Sequence, residues 1–341
     1  MRKPVILITG ANGEMGHGLI KTLSANKQAN ILALDLESLS DSHSNRVFES
    51  IQGDILDQKM LDMINTEYEI SSIYHLAALL STRAEFSPMI AHDVNVNGTL
   101  NLLSLAMQQA KSQGETVKFF FPSSIAVYGM DSLEEKKSAG AILETEYLNP
   151  KTMYGCNKLY CEQLGAYFSQ NFQQLSAAFS PDLLDFRSIR FPGLISAVTM
   201  PTGGTSDFIP EIIHNAVMKK PYDCFVDADT RMPFMSMPDA ITAILKLMEC
   251  PQENLKRKVY HITAFAPTAG EFKEKTLEFF PRAEIGYKMN ESRQKIVNTW
   301  PENVDDNAAK NDWNWEPDYD FETAFSDYLV PGLTEFYNNQ E

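Results

Sequence analysis

Tyr154 and Lys158 stand four residues apart in Tyr154-Gly155-Cys156-Asn157-Lys158. On a helix that spacing puts both side chains on one face. A phenol of ordinary pKa, about 10, is a poor base at neutral pH. An ammonium close by favours the phenolate and lowers that value. The pair could then take the proton of an alcohol while a hydride leaves its carbon. The pattern is common on amphipathic helices, so its surroundings must carry it. About 30 residues earlier, Phe119-Phe120-Phe121-Pro122-Ser123-Ser124-Ile125-Ala126-Val127-Tyr128-Gly129 places two serines at a strand end. A serine hydroxyl there can hydrogen-bond the reacting oxygen.

A hydride needs an acceptor, and the N-terminus offers a place for one. Thr9-Gly10-Ala11-Asn12-Gly13-Glu14-Met15-Gly16 directly follows the apolar run Val5–Thr9. The spacing is GxxGxxG rather than GxGxxG, but the physics is shared. Gly10, Gly13 and Gly16 allow a tight turn and close approach of backbone to a pyrophosphate. Asn12, Glu14 and Met15 then lie where a helix start offers its N–H groups. A nicotinamide cation bound here would further favour a nearby phenolate. Asp35 follows Gly16 by 19 residues and ends the second strand-like run. It could accept from both ribose hydroxyls and would repel a 2′-phosphate, which favours NAD over NADP. Asp54, with Ile55 beside it, could meet the adenine amino group or simply make a turn. In His75-Leu76-Ala77-Ala78, the small residues let a cofactor lie against the backbone, and His75 reads as a satisfied strand histidine.

The elements that must position these residues alternate. Strands are expected at Val5–Thr9, Asn30–Asp35, Val47–Gly53, Ser72–Ala77, Lys118–Ser123 and Leu184–Arg190. Helices are expected at Gly16–Ala25, Lys59–Asn65, Pro88–Gln109 and Lys151–Ser169. Such alternation means βαβ units and a doubly wound parallel sheet of Rossmann type, an α/β fold. After about residue 190 the rhythm changes, with Pro192, Gly193, Pro201, Gly203 and Gly204 punctuating a loop. Helices at Asp207–Met218 and Asp239–Met248 then flank a strand-like run, Met232–Met237, and Val259–Thr263 reads as a returning strand. The division expected is a cofactor domain over 1–190, with a returning strand near 257–264, and a mostly substrate-binding cap over 191–341.

Charge and composition narrow the partners. A formal net charge of −16 repels phosphate backbones and anionic lipid, so neither nucleic acid nor membrane is expected as a partner. Cys156, Cys161, Cys224 and Cys250 lack metal-type spacing and read as reduced thiols of a cytoplasmic protein, with no metal site. The N-terminal apolar run enters a glycine turn at once and reads as a first strand rather than a signal peptide.

TGxxGxxG, HLAA, SSxxVYG and YxxxK in this order resemble the extended short-chain dehydrogenase/reductase superfamily. The resemblance implies an enzyme in which Ser124 orients the substrate, Tyr154 is the acid/base, and Lys158 binds the ribose and lowers the phenol pKa. It also implies that Tyr154, Lys158 and Leu194 touch the cofactor. The finer segments HLAALLS (75–81), RSIRFPGLIS (187–196), PTGGTSDF (201–208), YDCF (222–225) and RQKIVNTWP (293–301) are similar to the short-chain-type L-threonine 3-dehydrogenases. That implies oxidation of the L-threonine hydroxyl by NAD. The substrate would be held among Ser81, Ser124, Tyr154, Gly204, Thr205, Ser206, Asp207 and Trp300. Asp207 could face the ammonium or cap the following helix, and Trp300 could close the pocket or fill a core. The resemblance further implies a homodimer through a four-helix bundle. Two segments depart from the family pattern: Asp131–Glu146 is longer and more charged, and residues 176–184 look like an insertion. A nucleotide-sugar epimerase or dehydratase, with Arg231 on a pyrophosphate, and an idle NAD-sensing regulator are the alternatives.

Overall fold

The structure, a computed structural model, describes residues 2–25, 30–177, 179–201 and 203–339. Residue 178, within the expected insertion, and residue 202, within PTGGTSDF, lie outside the described residues.

Among the described residues, seven strands form the central sheet: β1 (Lys3–Thr9), β2 (Ile31–Asp35), β3 (Glu49–Gln52), β4 (Tyr68–His75), β5 (Val117–Ser124), β6 (Leu184–Phe191) and β7 (Val259–His261). Their order across the sheet is β3-β2-β1-β4-β5-β6-β7. β1 pairs in parallel with β2 and β4, β2 with β3, and β4 with β5. The order reverses direction beside β1, and in an open α/β sheet that switch point leaves a crevice at the carboxyl ends of the strands. The glycine turn leaves β1 there. The expected Rossmann-type architecture is therefore the observed one.

The chain divides into two compact units. The first holds Met1–Ser123, Cys156–Ile189 and Ala243–Val259. Its core is a continuous apolar cluster from β1, β2, β4, β5 and β6 and the helices that cover them, including Leu7, Leu34, Ile73, Phe119, Phe121, Leu103 and Phe186. The second holds Ser124–Gly155, Arg190–Thr242 and Tyr260–Glu341. It contains three two-stranded parallel pairs: Gly193–Ile195 with Phe234–Ser236, Tyr222–Cys224 with Ile285–Tyr287, and Ala141–Ile142 with Asn303–Val304. Phe208 stacks edge-on against both Phe225 and Phe234 in its interior.

Several elements differ from expectation. The helix expected over 88–109 is broken into Pro88–His92, a π-helical turn Asp93–Asn97, and Gly98–Gln113. The Asn95 side chain explains the widened turn: it accepts from Leu79 N at 2.7 Å and donates to Leu79 O at 3.0 Å, pinning the segment after β4. The last helix of the three stops at Gly114, whose φ of 75° is the left-handed conformation that ends helices. The charged segment 131–146, which reads as a loop from its composition, holds regular structure. Leu133–Ala139 is a helix capped by Ser132, and the buried Lys136 amine donates to Val297 O at 3.0 Å.

Candidate active site

In the first unit the glycine turn is built by close backbone approach. Gly10 has φ +66°, and a Cβ on it would lie 2.6 Å from Ala77 N, at the end of β4. A Cβ on Gly16 would lie 2.4 Å from Ala11 O. Gly13 is different: it is exposed, and a Cβ there would meet only Gly10 O, at 3.3 Å. The turn feeds the helix Glu14–Ala25, whose first-turn N–H groups lie near the carboxyl end of β1. Asn12 N donates to Asp35 Oδ2 at 2.9 Å, which ties the turn to the end of β2. Asp35 Oδ1 accepts from Glu37 N at 3.1 Å. Glycines without side-chain bulk, a helix start and a strand-end carboxylate fit a dinucleotide with unphosphorylated ribose.

The remaining cofactor candidates of this unit fall into two groups. Leu76, Ala77 and Ala78 continue β4 as half-buried backbone beside Gly10. Asp54, by contrast, accepts from Leu56 N at 2.9 Å and so closes a turn, while Ile55 is buried against Gly98. His75 is satisfied on both nitrogens, by Thr9 Oγ1 and Thr99 Oγ1, each at 2.9 Å. Burial pushes its pKa down to about 3, so it stays neutral. Ser81 is half-buried and opens the helix Ser81–Phe86.

Lys158 belongs to this unit and is buried. Its Nζ donates to Pro122 O at 2.6 Å and lies 4.6 Å from the centre of the Phe121 ring. Burial pushes the amine down to about 8, against the raising influence of Cys161 and Glu162.

Ser124 and Tyr154 belong to the second unit. Ser124 ends β5, and its Oγ accepts from Ala126 N at 3.1 Å, capping the 3-10 turn Ile125–Val127. A hydroxyl that accepts can still donate its own hydrogen. Tyr154 is the second residue of the helix Met153–Gln170, which also carries Lys158 one turn later. The tyrosine is half-buried, and burial raises its phenol above the ordinary value. A neighbouring cation must therefore favour the phenolate before it can act as a base. Gly155 sets the placement: a Cβ on it would lie 2.0 Å from Ala126 O, so only glycine lets the helix start seat on the segment two residues after Ser124. Sequence reading passed over this glycine, although it sits inside the YxxxK motif.

The loop expected to hold substrate is also in the second unit. Gly203 has φ +84°, and its carbonyl accepts from Arg293 at 3.0 Å. Gly204 N donates to Asp207 Oδ2 at 2.7 Å. The Asp207 carboxylate thus closes the loop, with no side-chain cap bond to the helix Phe208–Val217. Thr205 is buried and Ser206 half-buried. Arg293, unremarked within RQKIVNTWP, is the cation of this loop, with its guanidinium 4.4 Å from the centre of the Phe225 ring. Trp300 is buried, and Met130 N donates to the carbonyl of its neighbour Thr299 at 2.9 Å. Leu194 lies half-buried in the short strand Gly193–Ile195. Arg231 is bound to Glu271 at 2.9 Å and to Ala266 O.

Comparison with known proteins bears on these features. The chain is 33% identical over 339 residues to the mitochondrial L-threonine 3-dehydrogenase of Bos taurus, covering 98% of this chain and 83% of that protein. It is 36% identical to an uncharacterized epimerase/dehydratase of Staphylococcus aureus, covering 92% of each. The solved structure of a monomeric L-threonine 3-dehydrogenase from a metagenome database, in apo form, is 35% identical with a TM-score of 0.84. It covers 98% of this chain and all of that one. Residues 6–263 match the model of the NAD dependent epimerase/dehydratase family. Glycine turn, strand-end serine and YxxxK helix thus sit on a chain that belongs to the NAD dependent epimerase/dehydratase family.

Proposed function

We propose that this chain oxidises the 3-hydroxyl of L-threonine with NAD, giving 2-amino-3-ketobutyrate, NADH and a proton. The observation that carries the chemistry is one continuous helix bearing Tyr154 and Lys158, started by a glycine seated on the carbonyl two residues after Ser124. Similarity over nearly the whole length to L-threonine 3-dehydrogenases supports the choice of substrate.

Bound NAD supplies the hydride acceptor. Gly10, Gly13 and Gly16, with the N–H groups of Asn12, Glu14 and Met15, take the pyrophosphate. Asp35 takes the adenosine ribose and turns away a 2′-phosphate. Ser124 donates to the reacting oxygen and holds the carbinol carbon in place. Tyr154, as phenolate, receives the hydroxyl proton. Lys158, as ammonium, favours that phenolate and binds the nicotinamide ribose. Ser124 rather than Ser123 is the serine for this task, since Ser123 is buried and already donates to Glu162.

Thr205, Ser206 and the Arg293 guanidinium offer the substrate carboxylate polar partners, and Ser81 and Trp300 bound the remaining space. Arg231 is engaged with Glu271, which favours a small substrate over one carrying a pyrophosphate. We also place the protein in the cytoplasm, in keeping with four cysteines as thiols. Exposed Met89, Ile90, Leu100, Tyr160 and Tyr167 on the helices of residues 88–113 and 153–170 support a homodimer. The test is NADH formation with L-threonine against D-threonine, L-allo-threonine, L-serine and UDP-sugars. L-threonine should be preferred, and activity with a UDP-sugar alone would end this reading.

A further inference from the structure

Three buried side chains beside β5 do more than the proton transfer requires. Lys158 Nζ donates to Pro122 O at 2.6 Å. The next residue, Ser123, donates its hydroxyl to Glu162 Oε1. Lys158 and Glu162 are one turn apart on the helix Met153–Gln170, so Tyr154, Lys158 and Glu162 form one stripe of that helix. Ser123, Lys158 and Glu162 are each nearly solvent-free. Burying a carboxylate is costly unless it is paired and hydrogen-bonded, so a hydrophobic side chain at 162 would be the cheaper filler.

We propose that Glu162 is a positioning residue for the reaction: with Lys158 it grips consecutive residues of β5, fixing where the next residue, Ser124, stands relative to Tyr154. The inference rests on the proposed roles of Ser124, Tyr154 and Lys158. Two grips at adjacent residues define both distance and register between strand end and helix, which one grip cannot do. A shift of about 1 Å between reacting groups can cost on the order of a hundredfold in rate.

The same carboxylate has an electrostatic task. Cys161 and Glu162 from its own helix raise the Lys158 amine, and Lys158 in turn acts on His75 of β4. Burial keeps His75 neutral and pushes the Cys161 thiol up to about 11, so neither carries charge at neutral pH. Glu162 opposes the desolvation of Lys158 and favours its charged form.

The experiment compares Glu162→Gln and Ser123→Ala with wild type. Glutamine keeps an oxygen for the Ser123 hydroxyl but drops the charge. Lys158 is titrated by NMR in lysine-labelled protein, its signal assigned by its loss in Lys158→Met. The expected midpoint in Glu162→Gln is lower than wild type by at least about half a pH unit, and kcat falls off at lower pH on the alkaline side. Ser123→Ala should leave the midpoint in place and lower kcat about tenfold, with KM for NAD little changed. A filler role predicts lower melting temperatures with the lysine midpoint and kcat per folded molecule unchanged, and that result overturns the proposal. The titration needs no substrate. A wild type that ignores L-threonine would defeat the functional reading, and the lysine midpoint would still decide this one.

Discussion

Asn12 and Asp35 are joined by a hydrogen bond of 2.9 Å from backbone N–H to carboxylate, although 23 residues separate them in the chain. The residue proposed to select the adenosine ribose therefore also holds the turn proposed to cradle the pyrophosphate. Asp35→Ala should damage both tasks. A hydrogen bond to a charged group contributes about 1.5–3 kcal/mol, so KM for NAD should rise tenfold or more. The ratio of kcat/KM for NAD over NADP should fall by at least a further factor of about ten, because the charge that repels a 2′-phosphate is gone. Asp35→Asn keeps one acceptor for Asn12 and should lose the cofactor preference with a smaller loss of NAD affinity. An unchanged ratio in both variants would place the ribose elsewhere.

Tyr154→Phe isolates the proton transfer. The ring stays and the hydroxyl goes. General acid/base catalysis contributes on the order of 10²–10⁴ in rate, and kcat should fall by that factor. NADH binding, followed by its fluorescence, should change little, because the glycine turn and Asp35 are untouched. Full activity in this variant would remove the proposed base.

Lys158 gives a pH signature in stability. Burial lowers its amine from 10.5 to about 8. Between those values the unfolded chain holds a proton that the folded chain has released, so stability rises with pH across that window. Below about 8 both states are protonated, and the penalty for burying the charge is at its largest. Urea denaturation of wild type and Lys158→Met from pH 7 to about 10.5 should show wild type gaining on the variant as pH rises through this range. The variant should also lose at least about 10² in kcat at neutral pH. A stability difference that does not vary with pH would mean that the amine is not buried as a charge.

Much of this was legible because single residues carry the reason for their placement. The apolar run ending at Thr9 followed by three spaced glycines marked a first strand and a tight turn into a helix, and both are there. Tyr154 and Lys158 declared their shared face by spacing alone. The strand β4 begins at Tyr68 rather than Ser72, although Tyr68-Glu69-Ile70-Ser71 alternates as a half-buried strand should. The helix Leu133–Ala139 also had a signal, Ser132 three residues before Glu135, which the surrounding charge obscured. The π-turn at Asp93–Asn97 had none, since Asn95 is drawn out of regular helix by Leu79, 16 residues away. Nor could spacing tell Ser123 from Ser124 by environment, because the group that occupies Ser123 is Glu162. Contacts between distant segments decide such cases, and no local pattern encodes them.

Gly10, Gly13 and Gly16 share one motif and should fail in different ways. Gly10→Ala forces a side chain at φ +66° against the Ala77 backbone, and Gly16→Ala drives a methyl into Ala11 O. Both should lower the melting temperature by several degrees or prevent folding, since backbone cannot yield as a flexible side chain can. A Cβ on Gly13 would meet only Gly10 O, at 3.3 Å, a tight contact that asks a few tenths of an ångström of its neighbour, far less than at Gly10 or Gly16. Folding therefore asks less for glycine here than at Gly10 or Gly16, and the proposed approach of a pyrophosphate to the backbone asks more. Gly13→Ala should keep its melting temperature within about 2 °C of wild type. Its NADH affinity should nonetheless fall by about tenfold or more, the scale of 1.4 kcal/mol or greater in binding. Thermal denaturation with and without NADH measures both at once: the variant should melt like wild type alone and lose most of the rise that cofactor gives. A Gly13→Ala protein with normal NADH affinity would show that no phosphate comes close to that backbone, and the cradle would have to be sought at another turn.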